Sequence, residues 1–175
     1  ESDIAQAQQK LAFAEQDLNE VAHAALELAQ PEAREAGVAL ELAAGAALPR
    51  VRADRLLIEQ VALNLVRNAI DAVHGLADEH RRVTIATAVD PRGDAELCVA
   101  DLGEGVPEEA RERLFDAFVT TKPGGLGLGL AICRSVIEAH GGRVSHEPNA
   151  PRGTRFSFAL PTAVAGIALT ALYAE

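Results

Sequence analysis

Asn64 and Asn68 stand four residues apart in Asn64-Leu65-Val66-Arg67-Asn68-Ala69-Ile70-Asp71, a stretch that reads as the middle of a helix. That spacing stacks the two carboxamides on one face, one turn above the other. The positions around them, Ile58, Val61, Ala62, Leu65, Ala69, Ala72 and Val73, are apolar and can turn toward a core. Two amides aimed the same way from a half-buried helix cost free energy unless something uses them. A hard cation is a suitable user: amide oxygens ligate magnesium, and magnesium commonly arrives with a nucleotide's phosphates. On this stretch alone, a pair of exposed or capped asparagines would serve as well.

Two glycine-bearing motifs extend the chemistry. Asp101-Leu102-Gly103-Glu104-Gly105-Val106-Pro107 follows a run with strand character. A carboxylate at a strand end, with glycines that let a ligand approach the backbone, can accept hydrogen bonds from an exocyclic amine. Adenine offers such an amine where guanine offers a carbonyl, so Asp101 in this role would select ATP over GTP. Gly124-Gly125-Leu126-Gly127-Leu128-Gly129-Leu130 opens a helix, where free N–H groups and the positive helix end favour phosphate. It is not a Walker loop, because no Gly-Lys-Ser/Thr follows. Nor does it fit the dinucleotide fingerprint: its glycines alternate, no strand runs directly into it and no suitable acid follows on a next strand. Between the two motifs, Phe115 and Phe118 could pin a mobile segment and Lys122 could reach a terminal phosphate. Taken singly, these are also an Asp-Gly turn, a hinge, two core phenylalanines and a solvated lysine.

The elements that must position these groups follow from periodicity and capping. Residues 1–30 read as helix, with Ile4, Leu11 and Leu18 repeating at seven beside a weaker seam of Ala7, Ala14, Val21 and Leu28. This is either the tail of a dimerising helix or an amphipathic helix docked on the body. Asp17 can cap a new helix at Leu18, Pro31 can start a further turn, and Gly37 can end it. Residues 38–42 alternate as a strand, 45–49 turn, and Asp54 caps the central helix, which runs to about His74 and Gly75. Residues 82–89 and 95–101 form a hairpin about the Asp90-Pro91-Arg92-Gly93 turn. A short helix follows Pro107, and a longer one ends at His140-Gly141-Gly142. Strands 143–147 and 154–160 flank a second turn. Helices interleaved with hairpins, without βαβ alternation, predict a two-layer α/β sandwich with one mixed, mainly antiparallel sheet and helices on one face.

Composition sets the outer limits. The chain has 175 residues and 49% apolar content, with neither tryptophan nor methionine, enough for one domain with a real core. A net charge of −10 argues against a nucleic-acid partner. Cys98 and Cys133 lie far apart in apolar surroundings and read as buried small hydrophobes in a reducing, cytoplasmic compartment. No signal peptide is visible, and the apolar stretch at 163–169 is too short to cross a membrane.

Four elements in this order are more specific than any one. Asn64-x3-Asn68, Asp101-x-Gly103-x-Gly105-x-Pro107, Phe115-x2-Phe118 and Gly125-x-Gly127-x-Gly129 together resemble the N, G1, F and G2 boxes of sensor histidine kinases. Gly153-Thr154, followed by Phe156 and Leu160-Pro161, looks like the last glycine box and closing strand. The Phe-Val-Thr-Thr-Lys and Ile-Glu-Ala-His-Gly-Gly wording is similar to the oxygen- and dicarboxylate-sensor branch. The resemblance covers residues 17–161 and implies the Bergerat ATP-binding fold shared with gyrase, mismatch-repair ATPases and heat-shock chaperones. It leaves 1–16 as the possible end of a dimerisation helix and 162–175 as a tail. It implies ATP and Mg2+ as cofactors, with Asn68 the metal ligand and Asn64 a neighbouring phosphate or metal-water contact. Asp101 and Thr154 would hold adenine, beside Gly103, Gly105 and Val106. Residues 104–124 would form an ATP lid, with Thr121, Lys122, Gly125, Leu126, Gly127, Leu128 and Gly129 on the phosphates.

Two departures shape the expected activity. Where gyrase-type ATPases carry a glutamate four residues before the magnesium asparagine, this chain has Asn64. An amide cannot take a proton at neutral pH, so efficient hydrolysis is not expected. Asp71 occupies a position where many of these kinases carry a phosphate-contacting lysine; it would act through water or metal, or point away. None of His23, His74, His80, His140 and His146 is followed by an acid and then a proline-leucine pair, the context of the phospho-acceptor. The resemblance thus implies a catalytic fragment that phosphorylates a histidine on another domain of a homodimeric kinase, with a response regulator downstream. A gyrase-type ATPase, a serine kinase and a non-catalytic nucleotide-binding domain are the alternatives.

Overall fold

Alternation along 82–89 and 95–101 becomes the middle of a five-stranded sheet. The computed structural model describes residues 12–116 and 129–163. In chain order the elements are β1 (Phe13–Gln16), α1 (Leu18–Ala36), β2 (Ala39–Ala43), β3 (Val51–Asp54), α2 (Arg55–Val73), β4 (Arg82–Val89), β5 (Ala95–Asp101), α3 (Gly129–Ala139), β6 (Arg143–Pro148) and β7 (Thr154–Leu160). Short 3-10 turns lie at Asp78–His80 and Glu108–Arg113. The main sheet runs β2-β4-β5-β7-β6; only β2 with β4 is parallel. Val83, Ile85, Leu97, Val99, Phe158 and Leu160 share one buried core with the inner stripes of the three helices. The expected sandwich, with its mainly antiparallel sheet and helices on one face, is the fold observed.

The helix stripes explain the layer. α1 buries Leu18, Val21, Ala22, Ala25, Ala29 and Ala33, a 3.6-residue stripe whose small side chains let the helix lie close. α2 buries nine side chains, among them Ile58, Val61, Leu65, Val66 and Ile70, because it packs on α1, the sheet and α3 together. Arg55 pairs with Glu20 and Arg67 with Glu32, both at 2.8 Å, so α1 and α2 run in the same direction.

Two local expectations fail for identifiable reasons. Residues 13–16 are not helical: they form β1, antiparallel to β3, with Phe13 opposite Asp54. The Phe13 ring meets His140 edge-on at 4.9 Å, and this long-range pairing overrides local helical pattern. Residues 1–11 lie outside the described residues. Pro31 does not start a new turn but sits inside α1. The helix runs through it because the buried alanines at 29 and 33 hold both sides. It then ends at Gly37, whose positive φ of 68° supports a Schellman cap: Val38 N–H to Ala33 O and Gly37 N–H to Arg34 O. At the other chain end, Thr162 bridges to Val51, so β3 is paired on both edges.

Candidate functional site

Asp101 ends β5 with its side chain on the helix face, 3% exposed. Its Oδ1 accepts the backbone N–H of Gly103 at 2.8 Å and of Thr154 at 3.3 Å. Asn149 Nδ2 donates to the Asp101 carbonyl at 2.8 Å, and Arg152 Nε to the Gly103 carbonyl at 3.0 Å. Burial pushes the Asp101 carboxyl above its usual range, against the opposing effect of the two backbone donors. The carboxylate is therefore fixed in place before any ligand meets it.

The neighbouring glycines answer first to the protein's own packing. A Cβ on Gly103 would come 2.9 Å from the Ala72 carbonyl and 3.0 Å from Asp101 Oδ1; one on Gly153 would fall 2.0 Å from the Asp101 carbonyl oxygen. Gly105 instead needs its positive φ of 85°. The glycines thus let the end of α2 and the start of β7 close on Asp101.

Asn64 and Asn68 are both half-buried on α2, and Asp71 is exposed beyond them. Asn64 Nδ2 donates to Cys133 Sγ at 3.2 Å. Gly129, the first residue of α3, lies against the same amide. Ala72 thus touches the Asp101 loop while Asn64 touches α3. Eight residues of helix separate them, about 12 Å. The region between α2, α3 and the loop after β5, here the cleft, so has the buried Asp101 carboxylate at one end and carboxamides toward the other.

Residues 104–116 leave the sheet end and fold back on it. Phe115 meets Phe156 edge-on at 6.1 Å and His146 at 5.9 Å, and His146 Nε2 donates to the Arg111 carbonyl at 2.6 Å. A cavity of about 300 Å³ opens beneath, lined by Val106, Arg111, His146, Arg152 and Thr154 among others. Phe115 thus packs the middle of the expected lid segment against β6 and β7. Phe118, Thr121, Lys122, Gly125, Leu126, Gly127 and Leu128 lie outside the described residues. Sequence reasoning missed Asn149, Arg152 and Cys133. The first two sit in a turn with no motif. Cys133 carried one usable signal: it is four residues after Gly129 and so shares its helix face.

Comparison with known proteins identifies the family. Residues 53–164 match the family described as histidine kinase-, DNA gyrase B-, and HSP90-like ATPase. The C4-dicarboxylate transport sensor protein DctS of Rhodobacter capsulatus is 42% identical over 147 residues, 83% of this chain and 22% of its own. Sensor protein FixL of Bradyrhizobium diazoefficiens is 43% identical over 132 residues, 75% of this chain and 26% of its own. The chain therefore spans about a quarter of these relatives' length. Among solved structures, the nucleotide-free catalytic domain of histidine kinase ThkA superposes with a TM-score of 0.74 at 35% identity, covering 86% of this chain and 95% of that one. Full-length ShkA in complex with AMPPNP gives 0.76 at 33% identity, over 88% of this chain and 32% of that one. With the motifs and fold in agreement, the chain belongs to the histidine kinase-, gyrase- and HSP90-like ATPase family, as a catalytic domain of the sensor histidine kinase kind.

Proposed function

We propose that the cleft binds ATP with Mg2+ and serves transfer of the γ-phosphate to a histidine on a phospho-acceptor domain of a larger kinase. The carrying observation is α2 itself, which joins the Asp101 end of the cleft to the Asn64 and Asn68 end. Asp101 would accept the adenine amine, with Thr154, Gly103, Gly105 and Val106 around the base. Asn64 and Asn68 would face the phosphates, and Asp71 would reach them through water at most. Their half-buried amide oxygens are donors of the kind a hard cation takes, so the residues present fit Mg2+, with Asn68 as its ligand. Bound there, Mg2+ would neutralise charge on the phosphate oxygens. Thr121, Lys122, Gly125, Leu126, Gly127, Leu128 and Gly129 keep the phosphate roles that the motif implies.

Asn64 cannot act as a base, so the proton acceptor for transfer would arrive with the phospho-acceptor domain. A response regulator is the expected downstream partner; ThkA has been solved in complex with the response regulator TrrA. A homodimeric parent kinase that holds this segment in the cytoplasm fits this reading. No helix among the described residues is long and apolar enough to cross a membrane. The test mixes the chain with a separate acceptor domain and γ-labelled ATP. Labelling of that domain, lost in Asn68→Ala, is the expected result. An acceptor that stays unlabelled while ATP still binds would favour a non-catalytic nucleotide-binding domain.

A further inference from the structure

The Asn64 carboxamide is held from α3, not from its own helix. Nδ2 donates to Cys133 Sγ at 3.2 Å. A methyl group built on Gly129 would come 3.1 Å from that same Nδ2 and 3.5 Å from Oδ1. Gly129 and Cys133 thus form a seat on one face of α3: one leaves room for the amide, and the other accepts its N–H. The thiol is 2% exposed, and burial pushes its pKa up, so the acceptor is a neutral sulfur.

An amide has a donor end and an acceptor end, and its last torsion has two broad wells. A partner that engages the nitrogen therefore decides where the oxygen goes. We infer that Cys133 is a positioning residue: it turns the Asn64 nitrogen toward α3 and so directs the Asn64 carbonyl oxygen to the phosphate end of the cleft. This rests on the nucleotide reading above. It also links the two sides of the cleft, because any displacement of α3 moves the seat of an α2 side chain. Serine at 133 keeps an acceptor for Nδ2. Alanine removes it, leaves a half-buried donor unpaired, and frees the amide to turn over.

The test compares Cys133→Ser, Cys133→Ala, Asn64→Ala and the Asn64→Ala/Cys133→Ala double variant in the whole chain. ATP·Mg2+ affinity is measured by calorimetry, and the Asn64 side-chain NH2 signals are followed by 15N NMR. In the wild type one Asn64 NH2 proton is protected from exchange. Serine retains that protection. Alanine loses it and weakens ATP·Mg2+ binding about threefold to tenfold, the scale of one oriented hydrogen bond. In the Asn64→Ala background Cys133→Ala adds nothing, since the thiol has no amide to hold. Wild-type affinity and protection in Cys133→Ala would overturn the proposal. So would an equal loss in both backgrounds, which means packing alone. Absence of ATP binding by the wild type, or Asn64→Ala binding as the wild type does, would instead overturn the nucleotide reading. The NMR comparison would still decide whether Cys133 holds the amide. Should Cys133→Ala fail to fold, Gly129→Ala tests the same seat: its Cβ displaces the amide and must shift the Asn64 signals.

Discussion

His140 accepts the backbone N–H of Asp54 on Nε2 at 3.1 Å. Its Nδ1–H goes to the Val136 carbonyl at 2.7 Å, so one imidazole joins the end of α3 to the start of α2. Asp54 is the N-cap of α2, with Oδ1 accepting from Leu57 N–H at 3.3 Å and Oδ2 from Ala12 N–H at 3.1 Å. Phe13 closes the other side of the ring. The helix that carries Asn64 and Asn68 is therefore anchored at its start by a residue 86 positions away.

His140→Ala leaves the Asp54 N–H without its partner and opens space beside Phe13. Losing a buried hydrogen-bond partner costs roughly 1–3 kcal/mol. Urea unfolding should show a loss of that order, with ATP affinity within about twofold of wild type when folded. A stability loss under about 0.5 kcal/mol would mean that water replaces the imidazole and that the link is incidental.

Asp101→Asn should separate binding from stability. Burial holds the Asp101 carboxyl above the ordinary aspartate value of 3.8, so the folded chain keeps this proton to higher pH than the unfolded chain. The associated stability is fully present below 3.8 and is lost as pH rises through the folded value. Asparagine removes that loss: the variant should be at least as stable as wild type at neutral pH, with a flatter stability profile on the acid side. Its amide presents a donor where adenine also presents one, so ATP affinity should fall about tenfold to a hundredfold. For the wild type, ATP binding should weaken on acidification at a pH above 3.8, as Asp101 protonates. Thermal melts and titrations across pH decide it; unchanged ATP affinity in Asp101→Asn would remove Asp101 from the adenine site.

Gly153→Ala and Gly75→Ala form a matched pair. Both glycines have positive φ, 96° and 80°, so both pay for alanine in backbone strain. Only Gly153 also faces a collision, 2.0 Å from the Asp101 carbonyl oxygen, whereas nothing lies within 4 Å of a Cβ on Gly75. Gly75→Ala should cost about 1 kcal/mol. Gly153→Ala should cost roughly 2–5 kcal/mol, since strain and overpacking add. It should also weaken ATP binding by moving Thr154 from Asp101. Equal melting temperatures for the two variants would show that the turn before β7 yields without disturbing the carboxylate.

What could be read in advance divides along physical lines. The hairpin of β4 and β5, the caps at Asp17, Asp54 and Gly37, and the apolar face of α2 are local patterns, and each is legible in a few consecutive residues. β1 and β3 were not legible: four-residue strands carry little periodicity, and what stabilises them is a pairing across 41 positions of chain, Phe13 with Asp54. At the site, the motifs gave the residue types and their order. They could not give the contacts that hold them, because Cys133, Asn149 and Arg152 act from other segments. The packing of Gly103 against Ala72 and of Gly153 against Asp101 was hidden for the same reason. A glycine that admits a ligand and one that admits the protein's own carbonyl look alike in sequence.

Alone with ATP and Mg2+, the chain should neither label itself nor hydrolyse ATP at an enzyme-like rate. His146 is followed by Glu147 and so comes nearest to an acceptor context, but it sits on strand β6. Its Nε2 is committed to the Arg111 carbonyl and its ring to Phe115 and Phe156. His140 has both ring nitrogens engaged. For hydrolysis, Asn64 stands where a base is required and gives its nitrogen to Cys133. General-base assistance is commonly worth about 100- to 10,000-fold, so Asn64→Glu should raise the slow basal hydrolysis where water reaches the γ-phosphate. The variant should do so with a pH profile that falls as the new carboxylate protonates, a dependence the wild type lacks. Phosphate release and acid-labile labelling measure the two claims. Self-labelling of the isolated chain would make one of its five histidines an acceptor. Brisk hydrolysis left unchanged in Asn64→Ala would place the base elsewhere, with Glu59 and Asp71 the first residues to replace.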